Sequence, residues 1–563
     1  MQKTPVLQRS GKSVGEPFVW ATAMGLTVGM AMVVYLLGLI VTNGYDAFWP
    51  KQIVQVMLRP ASKARLNDTN VVAGEITKRQ EKIVRTVSSS QEGGKAQQAE
   101  WQLFIGNKDI YGFGFRYLDE ADIVDFSYPP DFILIERLEY GDAIGIPLTL
   151  DVRGEGVIPA AEARFQDRLH TLVTQSNQRR ETIRRIEKYD IGAINARIET
   201  LRLQHRSLAR IQPASVEIQR QEQAVKEAMA ALQEKYEVLA QEARTLRAQQ
   251  TEHFLTYRLP TGEEKRLSLG QVVHYYYPNQ LHFGQRLGLL ARNVWVFLTE
   301  EPREANTEGG VFPAIFGTFV MTVLMSLAVT PFGVIAAVYL REYARQGLVV
   351  RAVRIAVNNL AGVPSIVFGG FGLGFFVYLV GSTVDQIFFA EALPTPTFGT
   401  GGVLWASLTL ALMTVPVVIV ATEEALAAVP RGMREGSLAC GASKWQTILR
   451  IVLPAAAPGI LTGLILAMAR GAGEVAPLML VGVVKLAPSL PMDTLLPFIH
   501  LERKFMHLGF HIYDLGFQSP DSEAARPMVF ATTLLLIALV VVLNLGAILI
   551  RERLRRKYVT GAF

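Results

Sequence analysis

Two charged residues, Arg470 and Glu474, lie inside an otherwise apolar segment and could handle an oxyanion within a membrane. Ionisable side chains in a membrane span are costly and normally face a cavity or a partner. Arginine keeps its charge and presents several N–H donors in a fixed plane. The spacing of four predicts that both residues share one helix face. Arg470 would contact the anion, and Glu474 would orient Arg470 or offset its charge. The alternative is a purely structural pair that joins two helices.

A second pattern runs from Glu435 to Pro454 and reads EGSLACGASKWQTILRIVLP. Gly441 can adopt the left-handed conformation that ends a short helix. Residues 444–451 would begin a second helix, and Leu453 and Pro454 lie where the next span starts, so that the missing proline N–H costs little. A short surface helix tied to two spans can transmit motion. We therefore interpret this segment as a coupling loop, the alternative being an ordinary amphipathic loop.

The elements that must position these residues are apolar helices. Half of the 563 residues are hydrophobic and 19% are charged, and the two kinds are segregated along the chain. Six segments approach or exceed the 20 or so apolar residues that cross a bilayer; these are 18–41, 312–340, 356–381, 403–421, 459–484 and 528–550. The chain is thus predicted to be an α-helical polytopic membrane protein. The first segment is too long for a cleaved signal peptide and lacks a small-residue cleavage site.

Positive charges predict the orientation of these spans, because Lys and Arg concentrate in cytoplasmic loops. Three basic clusters would be cytoplasmic: Lys3, Arg9 and Lys12, then Arg341, Arg345, Arg351 and Arg354, then the tail 551–563. Residues 382–402 contain no Lys or Arg and would lie outside. Both termini are therefore predicted to be cytoplasmic. The net charge of +6 fits this anchoring better than a nucleic-acid surface.

The same orientation places a large insertion, residues 42–310, on the outer side. It follows a first unit, 1–41, and precedes a five-helix core, 311–550, whose coupling loop spans about 422–455, and a basic tail, 551–563. Within the insertion, 101–159 and 251–278 have the alternation and turns of strands. Between them, about 160–250, a helical hairpin is predicted, broken near Pro213. One apolar seam has heptad spacing, as in a coiled coil; it comprises Ile218, Val225, Met229, Leu232, Tyr236, Leu239, Ala243 and Leu246.

Several patterns resemble other kinds of functional site but lack residues that those sites require. Gly11-Lys12-Ser13 looks like the end of a phosphate-binding loop, but Val6 stands where a glycine is required, so no nucleotide site is expected on this chain. The single cysteine, Cys440, excludes an internal disulfide. His507 and His511 have the spacing of a metal pair. No third ligand accompanies them clearly, and an external interfacial helix is the preferred interpretation, so that no metal site is expected.

The loop resembles the EAA loop of type I ABC importer permeases, and its surroundings resemble the PstA family of phosphate importer permeases. Four stretches carry this likeness. They are PAIFGTFVMTVLMSLAVTPFGVIAAVYLREYA (313–344), NLAGVPSIVFGGFG (359–372), TEEALAAVPRGMREGSLACGASKWQTILRIVLPAAAPGI (422–460) and ARGAGEVAPLML (469–480). Two departures are evident: the EAA triplet reads Glu435-Gly436-Ser437, and Ala421 stands where such permeases often have a basic residue. The resemblance says little about 42–310, which is much larger than in a minimal member.

This resemblance implies a type I ABC importer permease fold with a large periplasmic α+β insertion, in a bacterial inner membrane. It implies phosphate as the substrate, and as partners the paralogous permease PstC, two copies of the ATPase PstB and the periplasmic binding protein PstS. ATP and Mg would be bound by the ATPase, so this chain would be no enzyme itself. Glu435, Gly441, Leu453 and Pro454 would shape the docking loop, and Arg470 would lie on the anion path.

Two other functions remain open from the sequence. The chain could be a permease for another oxyanion, such as phosphonate or sulfate, because the visible path residues do not discriminate among oxyanions by physics alone. It could instead be an envelope scaffold or a phosphate-sensing membrane protein that acts through the coiled-coil hairpin.

Overall fold

Six apolar helices, each long enough to cross a bilayer, are present in the computed structural model, which describes residues 17–60, 62, 64, 66, 69–85, 95–210, 216–493 and 498–559. Their bounds are Trp20–Asp46, Phe312–Tyr343, Ser365–Phe388, Val403–Ala428, Lys444–Ala472 and Ser522–Arg556. Residues 1–16, with the first basic cluster and Gly11-Lys12-Ser13, lie outside the described residues, as does Pro213.

The helices within the described residues are numbered in chain order. They are α1 (Pro17–Asp46), α2 (Lys108–Tyr111), α3 (Phe165–Arg184), α4 (Ile191–Arg210), α5 (Val216–Gln250), α6 (Phe283–Thr299), α7 (Phe312–Val338), α8 (Leu348–Leu360), α9 (Ser365–Phe371), α10 (Ser382–Phe388), α11 (Val403–Ala428), α12 (Arg431–Ala439), α13 (Lys444–Thr447), α14 (Leu453–Ala472), α15 (Ala476–Val481), α16 (Leu508–Tyr513) and α17 (Ser522–Val559). Wider π-helical turns join α3 to α4, α9 to α10 and α13 to α14.

Two of the six predicted spans are divided by a helix break in the structure. The predicted 356–381 is divided, since α8 ends at Leu360 and the span begins only at Ser365. Pro364 precedes it with an extended backbone (φ −54°, ψ 135°), and proline has no N–H to continue a helix. The predicted 459–484 is also broken, because α14 ends at Ala472 and the short α15 starts at Ala476 with a proline in its first turn.

The membrane core is built where α7, α11 and α14 pack on one another. Small residues allow this close approach, as is usual between membrane helices. A Cβ at Gly463 of α14 would lie 2.4 Å from Cβ of Ala421 in α11, and one at Gly333 of α7 would lie 2.5 Å from Val418 of α11. Their buried side chains form one apolar cluster that includes Met321, Leu410 and Ala467. This cluster gives the region around Arg470 a rigid frame.

Residues between α1 and α7 form a lobe with two antiparallel sheets. Their strands are β1 (Ile53–Leu58), β2 (Val71–Arg85), β3 (Lys95–Phe104), β4 (Phe115–Asp119), β5 (Ile123–Ser127), β6 (Ile133–Arg137), β7 (Ala143–Val152), β8 (Gly156–Pro159), β9 (Phe254–Arg258), β10 (Glu264–Ser268) and β11 (Val272–Tyr276). The orders are β4-β3-β2-β1-β5 and β10-β9-β7-β6-β11, with β8 paired to β7. In the second sheet, β6 pairs β7 with Ile133 opposite Gly145, and β11 pairs β6 with Tyr275 opposite Ile135. A small hairpin, β12 (Pro302–Arg303) and β13 (Glu308–Gly309), precedes α7.

A long helical hairpin projects from the second sheet. Helix α5 runs antiparallel to α3 and α4, because Arg247 near its end pairs with Glu187 at 2.7 Å and Glu222 near its start contacts His205 at 3.1 Å. All eight residues of the predicted heptad seam are buried or half-buried in α5, whereas most residues between them are exposed. The coiled-coil interpretation and the location of this hairpin outside the membrane stay predictions.

Candidate functional site

Arg470 and Glu474 lie at a break in a membrane-spanning segment. Arg470 is in the last turn of α14, whereas Glu474 follows the helix end and belongs to the non-helical link before α15. The prediction of one shared helix face was therefore wrong. The two side chains still meet, with Nε of Arg470 3.9 Å from Oε1 of Glu474. Pro477, in the first turn of α15, favours the break, because proline has no N–H to continue a helix from the residues before it.

The surroundings of this break keep the arginine accessible. Gly471 packs so closely on α7 that a Cβ there would lie 2.3 Å from Sδ of Met325. The half-helix α15 packs against α9, where a Cβ at Gly369 would lie 2.7 Å from Cα of Pro477. Arg470 nevertheless stays 37% exposed and Glu474 23% exposed. Among the described residues, Glu474 is the one acid that pairs with Arg470, and at 3.9 Å the contact leaves most guanidinium donors free for an anion.

Gly441 turns the chain between two short helices, α12 and α13. Its φ of 86° is in the left-handed region, as its sequence position predicts, and its N–H bonds to the carbonyl of Leu438 at 3.0 Å. Ser443 begins α13 in a capping box with Gln446, whose Oε1 accepts from the Ser443 N–H at 2.8 Å. Hydroxyls of Ser437 and Thr447 are 2.9 Å apart across the turn. The loop is thus held in one shape by its own hydrogen bonds.

Leu453 and Pro454 are the first two residues of α14, so Pro454 lies in its first turn, as expected. The helical run itself begins earlier, at Lys444 of α13, and continues into α14. A π-helical turn, Ile448–Val452, comes directly before them. Such a widened turn changes the hydrogen-bond register and accommodates the proline ring and its missing N–H. Leu453 packs against the buried cluster of Leu426, Val429 and Ile448, which joins the loop rigidly to α11.

Sequence reasoning missed the residues that tie the loop to the π-helical turn Tyr339–Tyr343, which directly follows α7. Arg434 of α12 contacts Glu342 at 3.2 Å and donates to the carbonyls of Leu426 and Val429 at 2.6 and 2.7 Å. Lys444 bonds the Glu342 carbonyl and lies 4.9 Å over the ring of Tyr343. The only signal was Arg434 itself, a basic residue inside the loop, and its partner is almost a hundred residues away in the sequence.

One surface of the loop presents apolar side chains that no described residue covers. Trp445 is 57% exposed and Leu438 49% exposed, and Met433 and Leu449 are also exposed. Glu435 and Gly441 are exposed beside them. Exposed aromatic and aliphatic groups concentrated in one loop are typical of a protein interface. The loop therefore has both a rigid attachment to the spans and a surface that can bind a partner.

His507 and His511 are buried, and the helix in this segment, α16, includes His511 but begins only after His507. His507 precedes α16, and its Nδ1 accepts from the Gly509 N–H at 3.1 Å. Burial lowers the pKa of each imidazole to about 4, so both are neutral. Within the part of the chain that the structure describes, no three His, Cys, Asp or Glu residues group as metal ligands.

Comparison with known proteins places the site within one family. The family described as binding-protein-dependent transport system inner membrane component matches residues 329–558. That range contains α8 to α16 and all but the last residue of α17, with the coupling loop, Arg470 and Glu474. The lobe between α1 and α7 lies outside it.

Three permeases are among the curated relatives that match the chain. The probable ABC transporter permease protein YqgH of Bacillus subtilis is 35% identical over 203 residues, which are 35% of this chain and 62% of that protein. The phosphate transport system permease protein PstA 1 of Mycobacterium tuberculosis is 37% identical over 244 residues, 43% of this chain and 71% of its own length. The phosphate transport system permease protein PstA of Haemophilus influenzae is 35% identical over 193 residues, which are 34% of this chain and 61% of that protein. The chain thus spans less than two thirds of the first and third of these proteins.

Proposed function

Because this chain belongs to the family of binding-protein-dependent transport system inner membrane components, we propose that it is the permease subunit of an ATP-driven importer of inorganic phosphate. Two of the relatives are named as phosphate transport permeases. The observation that carries the proposal is the helix break after Ala472, which leaves the Arg470 guanidinium partly exposed near the end of an apolar span, where an ionisable group normally faces a cavity or a partner. A broken helix is tolerated in a membrane mainly where it lines a cavity or path.

The proposed mechanism assigns a role to each element of the site. Arg470 offers its free N–H donors to phosphate, a bidentate geometry that suits a tetrahedral oxyanion. The carboxylate of Glu474 cannot bind an anion directly, and it holds the guanidinium of Arg470 when the path is empty. Release then follows as Glu474 and phosphate compete for the same donors.

The coupling loop transmits the work of a separate ATPase. The exposed face around Trp445 and Glu435 docks on the ATPase, and the contacts of Arg434 and Leu453 pass its movement to α7, α11 and α14. We propose a PstB-type ATPase dimer, which holds ATP and Mg, a PstC-type second permease to close the path, and a PstS-type binding protein for delivery. In this arrangement the termini and the loop are cytoplasmic, and the lobe is periplasmic.

Uptake of labelled phosphate tests the proposal. Phosphate-starved cells that lack this chain receive wild type, Arg470→Gln, Arg470→Lys or Arg553→Gln at equal membrane levels. Arg553 lies exposed near the end of α17 and is the matched control. Wild type and Arg553→Gln should restore uptake. Arg470→Gln should lower it about tenfold or more, as expected for losing a charge-assisted contact, while the charge-preserving Arg470→Lys retains a larger share.

The outcomes separate the substrate from the site. Full rescue of uptake by Arg470→Gln would support phosphate transport by this chain but contradict a role for Arg470 on the anion path. No rescue by wild type, with the complex assembled, would contradict phosphate as substrate, and uptake of labelled sulfate or phosphonate in the same strains would then identify another oxyanion.

A further inference from the structure

A cavity lined by several arginines lies in the lobe, far along the chain from Arg470. Its volume is about 540 Å³, and it lies between α3, the adjoining ends of β6 and β11, and the segment Glu300–Arg303 that leads towards α7. Four arginines line it: Arg180 and Arg184 from α3, Arg292 from α6 and Arg303 from β12. It therefore joins the root of the helical hairpin to the chain that enters the membrane.

Arg180 has no acidic contact partner in the described structure. Its guanidinium donates to Oδ1 of Asn177 at 2.8 Å and to the carbonyls of Gly270 and Val272 at 2.9 Å each. All three acceptors are neutral, and its Nε has no hydrogen-bond partner among the described residues. Burial and the nearby charge of Arg303 lower the pKa of Arg180 to about 10. Arg180 is thus charged at neutral pH and held next to a like charge.

Arg303 is in a similar position across the cavity. Its Nε also lacks a partner among the described residues, and its acidic contact is a loose one, with Glu300 at 3.8 Å. Arg292 and Arg184, in contrast, are paired with Glu136 at 3.3 Å and Glu301 at 3.2 Å. The unsatisfied positive charge of this cavity is therefore concentrated on Arg180 and Arg303.

The acidic residues lie nearer to the solvent than this pair. Glu181 is 70% exposed at the rim and Glu300 is 42% exposed, whereas Arg303 is only 18% exposed. A buried donor without a partner costs about 1–3 kcal/mol, and two like charges held close together add repulsion. A small anion between them would relieve both costs, while the acidic rim would oppose a large polyanion.

We propose that this cavity binds an inorganic oxyanion, with Arg180 and Arg303 as its ligands. Guanidinium groups match tetrahedral oxyanions through paired N–H donors. The bound anion connects α3 at the hairpin root with the segment before α7, so occupancy would stiffen the junction between lobe and membrane. Phosphate as the probe, and the outer side of the membrane as its location, rest on the proposed function.

Equilibrium binding of labelled phosphate to the purified full chain in detergent tests this site without an ATPase or uptake. The variant Arg180→Gln/Arg303→Gln should bind phosphate at least tenfold more weakly than wild type. The control Arg202→Gln/Arg247→Gln removes two exposed arginines of the same hairpin and should bind as wild type does. Arg470→Gln, measured in parallel, should keep the lobe site.

Wild-type protein provides a readout that does not depend on the folding of a variant. Phosphate should slow amide hydrogen exchange at residues 177–184 and 300–303. Unchanged exchange there, or wild-type affinity in Arg180→Gln/Arg303→Gln, would overturn the lobe site. If Arg470→Gln abolished phosphate binding and Arg180→Gln/Arg303→Gln did not, the proposed lobe site would be contradicted. The proposed permease path would still be supported.

Discussion

Gly441 shows how one residue can determine the shape of the loop between α12 and α13. It holds a left-handed backbone (φ 86°), and no atom lies within 4 Å of where its Cβ would be. Any larger residue therefore has room but a strained backbone. Gly436 lies in the helix α12, before Gly441 in the chain. The space around its Cβ position is equally open. The two glycines therefore differ in backbone conformation but not in the free space around their Cβ positions.

The same substitution at these two glycines should affect association with the ATPase differently. Gly441→Ala places an L side chain in the left-handed region at about 1–2 kcal/mol, so loop geometry shifts and association with the ATPase should weaken about tenfold, since 1.4 kcal/mol is a factor of ten. Gly436→Ala should leave association unchanged and favour α12 slightly. Co-purification of the ATPase with each variant measures this, and equal yields from both would contradict the coupling role of Gly441.

At the scale of elements, the first sheet contains an acidic residue with an unusual titration. Glu75 of β2 lines a cavity of about 230 Å³ with Asp142 and Glu308. Burial raises the pKa of Glu75 to about 7, and Lys51 opposes this only partly. Burial also raises the pKa of Asp142 and of Glu308. The folded lobe therefore binds protons that the unfolded chain, with ordinary carboxyl pKa values, would release.

The sign of the pH dependence follows from this difference. A carboxyl whose folded pKa is raised stabilises the fold fully below about 4.5, and that stability is lost as pH rises through about 7. Glu75→Gln should raise the melting temperature of the purified chain at pH 8 and flatten its decline between pH 5 and 8. Glu81→Gln, on an exposed part of the same strand, should change neither. A wild-type slope in Glu75→Gln would contradict the burial of this carboxyl.

At the scale of the whole molecule, orientation decides which side of the membrane holds the lobe and which holds the loop. Basic residues follow α7 and end α17, and both positions would be cytoplasmic. Long loops cross the membrane largely regardless of their charge, so the many basic residues of the lobe do not oppose an outer location.

Cysteine labelling tests this orientation within one chain. Gln223 is exposed on the hairpin, and the single native cysteine, Cys440, is exposed on the coupling loop. In Gln223→Cys, an impermeant thiol reagent should modify position 223 in intact spheroplasts and reach Cys440 only after lysis. The Gln223→Cys/Cys440→Ser variant identifies each signal, and the reverse pattern would invert the topology.

Local patterns in the sequence were sufficient to predict several structural elements of this protein. Apolar length alone indicated six spans, glycine preference indicated the left-handed turn at Gly441, and heptad spacing indicated the buried seam of α5. These features depend on residues close together in the chain, so hydrophobicity and backbone preference suffice to predict them. The strands β1 and β2 were not predicted, and β2 in particular is rich in charged residues, which hides the alternation.

Only the tertiary structure decided which elements pack together beside the span breaks and which charges meet. The half-helix α15 packs against α9, and the attachment of the coupling loop depends on Arg434 reaching Glu342. Arg180 and Arg303 come together because the hairpin folds back on the sheet beside α6. The physical reason is common to all three: burial and electrostatic energy depend on distances between residues far apart in sequence, and no local pattern encodes those distances.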